Sequence, residues 1–287
     1  MSADLTGPDR ASAVEPKSPG PGNSGISGRG SRGRLAVVGL GPGGAPWRTR
    51  AVDALLAEAT DLVGYAAYLD MVEARVLGQV RHPSDNRAEG ERAAHALDLA
   101  AEGRSVAVVS SGDPGVFAMA SAVMEQLDRP DRPSSWEEVE VVVSPGVSAA
   151  QAAAAMVGAP LGHDFATISL SDNLKPWSVV ESRLAAAAAA DFVLALYNPA
   201  SRHRPWQLRR ALAVVGSYRA PHTPVVVARD VGRPAEQVEV VPLGGLDPAA
   251  VDMRTVLLVG SSQTRTVDVP GWGRRGVYTP RAYPRGG

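Results

Sequence analysis

The chain alternates between short apolar runs and longer amphipathic segments. The apolar runs, such as Leu35–Leu40, do not alternate with polar residues, which is typical of strands buried on both faces of a parallel sheet. Helical segments separate these runs, so the sequence predicts an α/β fold with a mostly parallel, doubly wound sheet. The predicted strands are 35–40, 61–64, 106–109, 139–143, 165–170, 192–196, 225–228, 238–243 and 255–259. The predicted helices are 49–59, 88–102, 116–127, 148–157, 177–190 and 206–215.

Composition divides the chain into four parts. Residues 1–33 are rich in Gly, Pro and Ser and hold too little apolar surface to offset ordering entropy, so this tail is predicted to be disordered. The alternating elements then form an N-terminal α/β domain, 34–158, and a C-terminal α/β domain, 159–268. The Gly-, Pro- and Arg-rich residues 269–287 are predicted to form a loose tail.

Charge and cysteine content exclude several classes of protein. A formal net charge of −1 lacks the basic footprint of a nucleic-acid binder, so no nucleic-acid partner is expected. Arginine supplies 27 of the 29 basic residues, and its planar fork suits paired bonds to carboxylates, so local arginine clusters matter more than the total. The absence of cysteine excludes disulfides, thiolate nucleophiles and Cys-ligated metals. No apolar run reaches about 18 residues, so a cytoplasmic protein with no membrane partner is expected.

The histidines give no sign of a metal site, and none is predicted. They are scattered, without the short spacing of a metal-binding helix. His163 alone is considered for more than a structural role, because it follows the predicted junction of the two domains. The alternative is a hydrogen-bonded structural histidine. The five histidines are His82, His95, His163, His203 and His222.

The first predicted strand runs into a turn that fits the pattern G-x-G-x-x-G, from Gly39 to Gly44. A nicotinamide-binding turn also needs a carboxylate about 20 residues on, at the end of the second strand, to hold the ribose. That strand end carries Gly64 and Tyr65 instead. Pro42 also removes a free N–H from the turn, so the dinucleotide reading loses support.

Four other features share the position of this turn, directly after an apolar strand. Ligands in open α/β sheets bind at the carboxyl ends of strands, so turns in these positions can line one cleft. For each turn taken singly, a helix N-cap or a simple turn is the alternative, with Asp113 and Ser148 as suitable caps. The turns are Ser110–Gly115, Ser144–Ala149, Tyr197–Pro199 and Arg229–Arg233.

Three of these motifs, in this order, resemble the tetrapyrrole methylases, the class III S-adenosylmethionine-dependent methyltransferases. They are Gly39-Leu40-Gly41-Pro42-Gly43, Gly112-Asp113-Pro114-Gly115 and Pro145-Gly146-Val147-Ser148-Ala149. The resemblance covers about residues 34 to 262. Further stretches look most like the branch that methylates carbon 17 of precorrin-3B and contracts its ring to precorrin-4, in cobalamin biosynthesis. Those stretches are 63–65, 110–115, 160–166, 168–172, 196–201, Gly232-Arg233 with Glu236, and 278–281.

The resemblance implies two α/β domains with S-adenosylmethionine, the methyl donor, in the cleft between them, and a homodimer that acts on a small tetrapyrrole. No catalytic base is carried over, because the strand end where some relatives have an acid is Gly64-Tyr65 here. The family's cofactor contacts fall on Pro42, Ser111, Gly112, Asp113, Val116, Ser148, Ala149, Asn198 and Gly232. The expected substrate contacts are Tyr65, Arg202, Arg204, Arg229 and Arg233, and the four arginines are chosen because the substrate is a polycarboxylate.

Other functions fit parts of the pattern. A relative with the same fold could act on another acceptor, such as precorrin-4 at carbon 11 or ribosomal RNA. A nicotinamide-dependent oxidoreductase would use Gly39–Gly44 for its dinucleotide. A non-catalytic S-adenosylmethionine sensor would bind the cofactor without turnover.

Overall fold

A computed structural model describes residues 33–73, 78–85, 88–201 and 204–283. The predicted disordered tail, 1–33, lies outside these residues except for Gly33. Gly33 is buried, and its carbonyl accepts a hydrogen bond from the Glu140 N–H at 3.0 Å. Among the described residues, no helix is long and apolar enough to span a bilayer.

The first sheet has five parallel strands in the order β3-β2-β4-β1-β5. Helices pack on both of its faces, and two apolar clusters lie between them and the sheet. The predicted doubly wound α/β arrangement is therefore present. The strands are β1 Arg34–Gly39, β2 Asp61–Tyr65, β3 Val80–Ser84, β4 Ser105–Ser110 and β5 Glu140–Ser144, and the helices are α1 Arg50–Glu58, α2 Ala66–Leu69, α3 Glu89–Ala101 and α4 Met119–Leu127.

Strand β3 has no counterpart in the predicted elements. Its sequence, Val-Arg-His-Pro-Ser, is neither an apolar run nor a clean alternation. It lies at the edge of the sheet and pairs only with β2, so Pro83 can sit in it without leaving a central ladder bond unmade. Central strands can be predicted from their apolar faces, but an edge strand of this kind does not need an apolar face. For this reason β3 could not be predicted from its sequence.

The second sheet also has five strands, in the order β10-β9-β11-β8-β7, but it is mixed. Strands β7 and β8 are parallel, whereas β11 is antiparallel to both β8 and β9. As a result β8 and β9 run in the same direction and end at the same edge. The elements of this half are α5 Ala149–Val157, β6 Gly158–Ala159, β7 Phe165–Ser169, α6 Trp177–Ala189, β8 Val193–Tyr197, α7 Gln207–Gly216, β9 Pro224–Arg229, β10 Gln237–Pro242 and β11 Thr255–Val259.

The segment 269–287, for which the sequence predicts a loose tail, contains a strand. β13, Arg275–Tyr278, pairs antiparallel with β12, Arg265–Asp268, and parallel with β6. Val277 is buried, and the hydroxyl of Thr279 donates to the carbonyl of Pro160 at 2.6 Å. One buried apolar side chain and one hydrogen-bonded hydroxyl hold this strand in place. These two residues do not form a strand pattern that could be recognised in a Gly- and Arg-rich sequence.

Candidate functional site

The turns after β1 and β4 are joined by backbone hydrogen bonds. The Gly41 N–H donates to the Gly112 carbonyl at 3.1 Å, and the Gly112 N–H donates to the Gly41 carbonyl at 2.7 Å. The strands that lead into these turns are parallel neighbours in the first sheet, so their carboxyl ends meet at one edge. The two glycine turns therefore form a single backbone surface.

Glycine is required where the turns approach each other. A Cβ on Gly39 would lie 2.6 Å from the carbonyl oxygen of Gly112 and 2.8 Å from the amide nitrogen of Gly146, both closer than real side chains come. Gly112 has a φ of 70°, which favours glycine. The nearest atoms to a Cβ on Gly112 would be the Ala149 nitrogen and the Ser148 Cα, each at 3.9 Å, which is an ordinary contact distance.

The start of helix α5 therefore packs beside the Gly112 turn, backbone against backbone. Three of the predicted cofactor contacts, Gly112, Ser148 and Ala149, are thus neighbours in the fold. Backbone at the start of a helix and in a glycine turn can approach a ligand without side chains in between. This bare backbone is compatible with the predicted cofactor contacts at Gly112, Ser148 and Ala149.

The carboxylate of Asp113 joins the turns after β4 and β5. Oδ1 accepts a hydrogen bond from the Gly115 N–H at 2.8 Å, and Oδ2 accepts one from the Gly146 N–H at 3.1 Å. Asp113 does not cap α4, whose N-cap is Ala118, but its bond to the Gly115 N–H makes it the turn residue that the structural alternative includes. A carboxylate offers about four acceptor positions, so these two bonds leave capacity for a ligand.

Ser148 is the N-cap of helix α5, as its sequence context predicts. Its hydroxyl accepts from the Gln151 N–H at 3.3 Å, while the Gln151 side chain accepts from the Ser148 N–H at 3.1 Å, which makes a capping box. The hydroxyl of Tyr197 accepts from the Ala150 N–H at 2.8 Å. Burial raises the pKa of Tyr197, so the end of β8 presents a neutral hydroxyl to this helix.

The turn after β9 reaches across to the turn after β1. Arg233 Nε donates to the Pro42 carbonyl at 3.0 Å, and its Nη2 lies 3.4 Å from the Ser111 hydroxyl. Gly232 has a φ of 75°, and its N–H donates to the Glu236 carboxylate at 2.7 Å. Four predicted site residues, Pro42, Ser111, Gly232 and Arg233, are thereby brought together.

Trp47 packs against both turns that meet at Arg233, the turn after β1 and the turn after β9. A Cβ on Gly232 would lie 2.7 Å from Trp47 Nε1, and one on Gly41 would lie 2.7 Å from the Trp47 carbonyl oxygen. The sequence gives no reason to predict a role for Trp47, because a lone tryptophan after a proline forms no pattern that indicates a site. Its contacts with both glycine turns appear only in the folded chain.

The end of β8 faces the segment that follows the Asp113 turn. The rings of Phe117 and Tyr197 meet edge to face, with centroids 5.6 Å apart. Asn198, the next residue, has a φ of 52°, and its side-chain amide donates to the Ser169 hydroxyl at 3.0 Å. Val116, another predicted cofactor contact, is half-buried beside Phe117, and its N–H donates to the Asp113 carbonyl at 3.2 Å.

Two of the predicted substrate arginines are engaged within the protein. Arg204 is buried, and its Nη1 donates to the carbonyls of Asn198 at 2.9 Å and Leu170 at 3.3 Å. Burial lowers the pKa of Arg204, although the charge of Asp172 opposes this effect. The prediction that Arg204 presents a free fork to the substrate is therefore not supported, because the side chain shapes the Asn198 turn.

Arg229 is also partnered. Its guanidinium lies 3.0 Å from the Asp252 carboxylate and 3.1 Å from that of Asp230, so its charge is largely balanced. This pairing weakens the case for a substrate contact. Arg202 lies outside the described residues, which leaves Arg233 as the predicted arginine that the structure places beside the turns after β1 and β4.

The end of β2 brings two tyrosines to the same edge. The rings of Tyr65 and Tyr68 meet at right angles, with centroids 5.3 Å apart. Burial raises the pKa of Tyr68, and the charges of Arg233 and Arg92 partly offset this rise. The substrate contact predicted at Tyr65 thus stays a prediction for a residue at the carboxyl edge of the first sheet.

Two arginines with buried side chains lie near this edge, and the sequence did not predict either of them as part of the site. Arg92 donates to the Ser84 hydroxyl at 2.7 Å and lies 3.2 Å from the Met119 sulfur. Arg48 pairs with Asp53 at 3.0 Å and donates to the Met71 carbonyl at 3.3 Å. Both occur in helical or turn sequence, where an arginine is ordinarily exposed to solvent. No local sequence pattern therefore predicts that their side chains are buried.

The described ranges contain no group of three or more His, Asp or Glu side chains that could hold a metal ion. His163 accepts a hydrogen bond from the Asp164 N–H at 2.8 Å, and its ring packs edge to face on Tyr283 at 5.2 Å. These contacts favour the structural alternative for this histidine.

Comparison with known proteins agrees with this architecture. The family model for Tetrapyrrole (Corrin/Porphyrin) Methylases matches residues 34–247. The "Cobalamin biosynthesis protein CobIJ" of Mycobacterium tuberculosis is 55% identical over 259 residues, covering 89% of this chain and 49% of that protein. The chain thus spans about half the length of that relative. The "Precorrin-3B C(17)-methyltransferase" of Sinorhizobium is 50% identical over 251 residues, covering 88% of this chain and 97% of that protein.

Solved structures show the same fold. The crystal structure of the methyltransferase CobJ has a TM-score of 0.80 and 49% identity, covering 86% of this chain and all of that one. A uroporphyrin-III C-methyl transferase from Thermus thermophilus, complexed with S-adenyl homocysteine, has a TM-score of 0.57 and 22% identity, covering 79% of this chain and 97% of that one. At that identity the second likeness concerns the fold alone.

Proposed function

The chain belongs to the tetrapyrrole methylase family, and we propose that it transfers the methyl group of S-adenosylmethionine to carbon 17 of precorrin-3B. By similarity to that branch of the family, the reaction includes ring contraction to precorrin-4 in cobalamin biosynthesis. The choice of acceptor rests on the Sinorhizobium enzyme, which matches this chain at 50% identity over 97% of its own length.

One structural observation supports a methyl donor site in particular. Three glycine turns at the carboxyl edge of the first sheet pack against one another, and the Gly232–Arg233 turn of the second half closes over them. This arrangement offers a ligand backbone groups and a few polar side chains rather than a nucleophile. The residues proposed to contact the cofactor are Pro42, Ser111, Gly112, Asp113, Val116, Ser148, Ala149, Asn198 and Gly232.

The chemistry needs no covalent help from the protein. When bound, S-adenosylmethionine supplies an activated methyl group: its sulfur–methyl bond breaks as the methyl carbon bonds carbon 17, and S-adenosylhomocysteine leaves. The chain's contribution is to hold donor and acceptor in line at contact distance. Asp113 and Arg233 serve this end by fixing the turns in place. No catalytic base is proposed.

Arg233 is the cation proposed to meet the substrate's carboxylates. It lies at the contact between the two halves, where it bonds the Pro42 carbonyl and lies 3.4 Å from the Ser111 hydroxyl. We propose Tyr65 and Arg202 as further substrate contacts. The protein is proposed to act in the cytoplasm as a homodimer, by similarity to its family.

The test is turnover with separate acceptors. The purified chain is incubated with S-adenosylmethionine and precorrin-3B, precorrin-4 or a cobalt-containing form of the first, and products are analysed by mass. We expect methylation of precorrin-3B or its cobalt form and none of precorrin-4. Tight binding of NAD in a parallel titration would instead support an oxidoreductase. Binding of S-adenosylmethionine without transfer to any acceptor would support a sensor.

A further inference from the structure

Phe117 has an unusual backbone conformation for its residue type. Its φ is 52°, in the left-handed region that bulky side chains avoid. Among the described residues, the other non-glycine positions with positive φ are Asp191, Asn198 and Asp230, which have short polar side chains suited to that region. A strained aromatic residue persists only where its surroundings or its function require it, and such strain gathers at ligand sites.

The ring of Phe117 is not used to fill a core. Its side chain is 50% exposed, although the neighbouring Met119 and Ala120 are buried. The one ring it meets edge to face is Tyr197, whose hydroxyl is held by the Ala150 N–H at the start of α5. Phe117 is thus fixed on one side and open on the other, at the point where the end of β8 faces the Asp113 turn.

The two ends of this segment differ in chemistry. At Ser111 the guanidinium of Arg233 lies 3.4 Å from the hydroxyl, whereas six residues later Phe117 offers an open aromatic face. A ligand that spans the segment would meet a cation at one end and an apolar ring at the other. A tetrapyrrole has this character, since its conjugated ring is flat and apolar and its rim carries carboxylates.

We propose that Phe117 is a substrate-positioning residue, whose exposed ring packs against the tetrapyrrole macrocycle. This inference rests on the proposed function and extends it to a residue that no comparison assigns. Contact with a π-system suits an aromatic ring, whose offset or edge-to-face packing is favourable beyond the area it buries. The exposed half of the ring is the part that is free to meet the substrate.

Three variants of Phe117 separate the effect of losing the aromatic ring from the effect of the strained backbone. F117Y keeps the ring, F117L removes the ring but keeps a side chain in the strained conformation, and F117G removes the ring and relieves the strain. For F117L and F117G we expect the KM for precorrin-3B to rise roughly three- to tenfold, with kcat little changed. F117Y is expected to match the wild type, and F117G to unfold no more easily than F117L.

A matched control and a second readout complete the test. Phe165 is 44% exposed but opens β7 at the amino end of that strand, away from the site, so F165L should keep the wild-type KM. The Kd for S-adenosylhomocysteine, from calorimetry, should not change in any variant. An unchanged KM in both F117L and F117G would overturn the proposal, and so would weaker S-adenosylhomocysteine binding with an unchanged KM.

Failure of the proposed Phe117 contact can be distinguished from failure of the proposed function. If the wild type does not methylate precorrin-3B but still binds it, the absorption spectrum of the bound tetrapyrrole is compared between wild type and F117L. A weaker or absent spectral change in F117L would still support the contact. If the wild type neither binds nor methylates precorrin-3B, both proposals fail.

Discussion

The Nε atom of Arg233 lies 3.0 Å from the carbonyl oxygen of Pro42 and donates a hydrogen bond to it, across 191 positions of the chain. The bond joins the turn after β9 to the turn after β1. Since both turns contribute proposed cofactor contacts, the position of this arginine helps to determine the shape of the site.

Replacing Arg233 should therefore affect both ligands. We expect R233A to weaken S-adenosylmethionine binding roughly tenfold, because hydrogen bonds from charged groups contribute about 1.5–3 kcal/mol, and to raise the KM for the tetrapyrrole. R233K keeps the charge but not the fork, so it should recover part of the tetrapyrrole affinity and less of the cofactor affinity. Calorimetry and steady-state kinetics measure these effects. R210A, at an exposed arginine paired with Glu181, is the control and should leave both unchanged.

Gly146 tests whether the packing of the turns builds the site. A methyl group there would meet the carbonyl oxygens of Gly112 and Gly39, so G146A should destabilise the fold by about 1–3 kcal/mol and abolish cofactor binding. The control is G216A at the end of α7, where nothing lies within 4 Å and alanine favours the helix. Denaturant unfolding and cofactor titration check both variants. Normal cofactor affinity in folded G146A would count against the proposed site.

Asp113 distinguishes a ligand contact from a purely structural one. From its motif the sequence predicts that D113A weakens cofactor binding more than folding. The two backbone bonds now assigned to its carboxylate predict a cost to both, with a cofactor loss of roughly tenfold or more. D113N keeps one acceptor oxygen and should recover stability more fully than cofactor affinity. If D113A lowers stability while the S-adenosylmethionine Kd stays at the wild-type value, Asp113 has only a structural role.

Much of the first sheet and its glycine turns could be predicted from the sequence. Buried parallel strands appear as continuous apolar runs, and glycines mark the turns that follow them. The packing of Gly39, Gly112 and Gly146 follows from that order. What could not be predicted depends on distant contacts. Arg204 and Arg233 cannot be told apart by sequence, yet Arg204 is buried and bonds carbonyls of its own half, whereas Arg233 is half-buried and bonds the Pro42 carbonyl in the other half. Strand β13 is fixed by Val277 and Thr279, whose partners are far apart in the chain.

Buried Asp61, at the opposite end of β2 from the site, predicts a pH dependence of stability. Its carboxylate lies 2.8 Å from His82 Nε2 and accepts from Thr60 at 2.7 Å and Arg104 at 3.1 Å. Burial alone would raise the pKa of Asp61, but the hydrogen bonds and the Arg104 charge lower it below the ordinary value of 3.8. A depressed pKa in the folded state stabilises the protein above the unfolded-state pKa, and this contribution is lost as the pH falls through the lower, folded-state value.

D61N should therefore lower the free energy of unfolding at pH 7 by about 1–3 kcal/mol, and the difference from wild type should shrink as the pH drops below about 4. Urea unfolding across that range measures it. D268N, at a side chain that is 91% exposed, is the control and should show little difference at either pH. A D61N deficit that stayed constant down to pH 2 would contradict the assignment of ionised Asp61 as the stabilising form.

Transfer of a methyl group to carbon 17 of precorrin-3B can be followed atom by atom. The most direct test supplies S-adenosylmethionine with an isotopically labelled methyl carbon and locates the label in the product by NMR. We predict a single labelled methyl group on carbon 17, with one S-adenosylhomocysteine formed for each product. A label on any other carbon, such as carbon 11, or no labelled tetrapyrrole despite cofactor binding, would contradict the account.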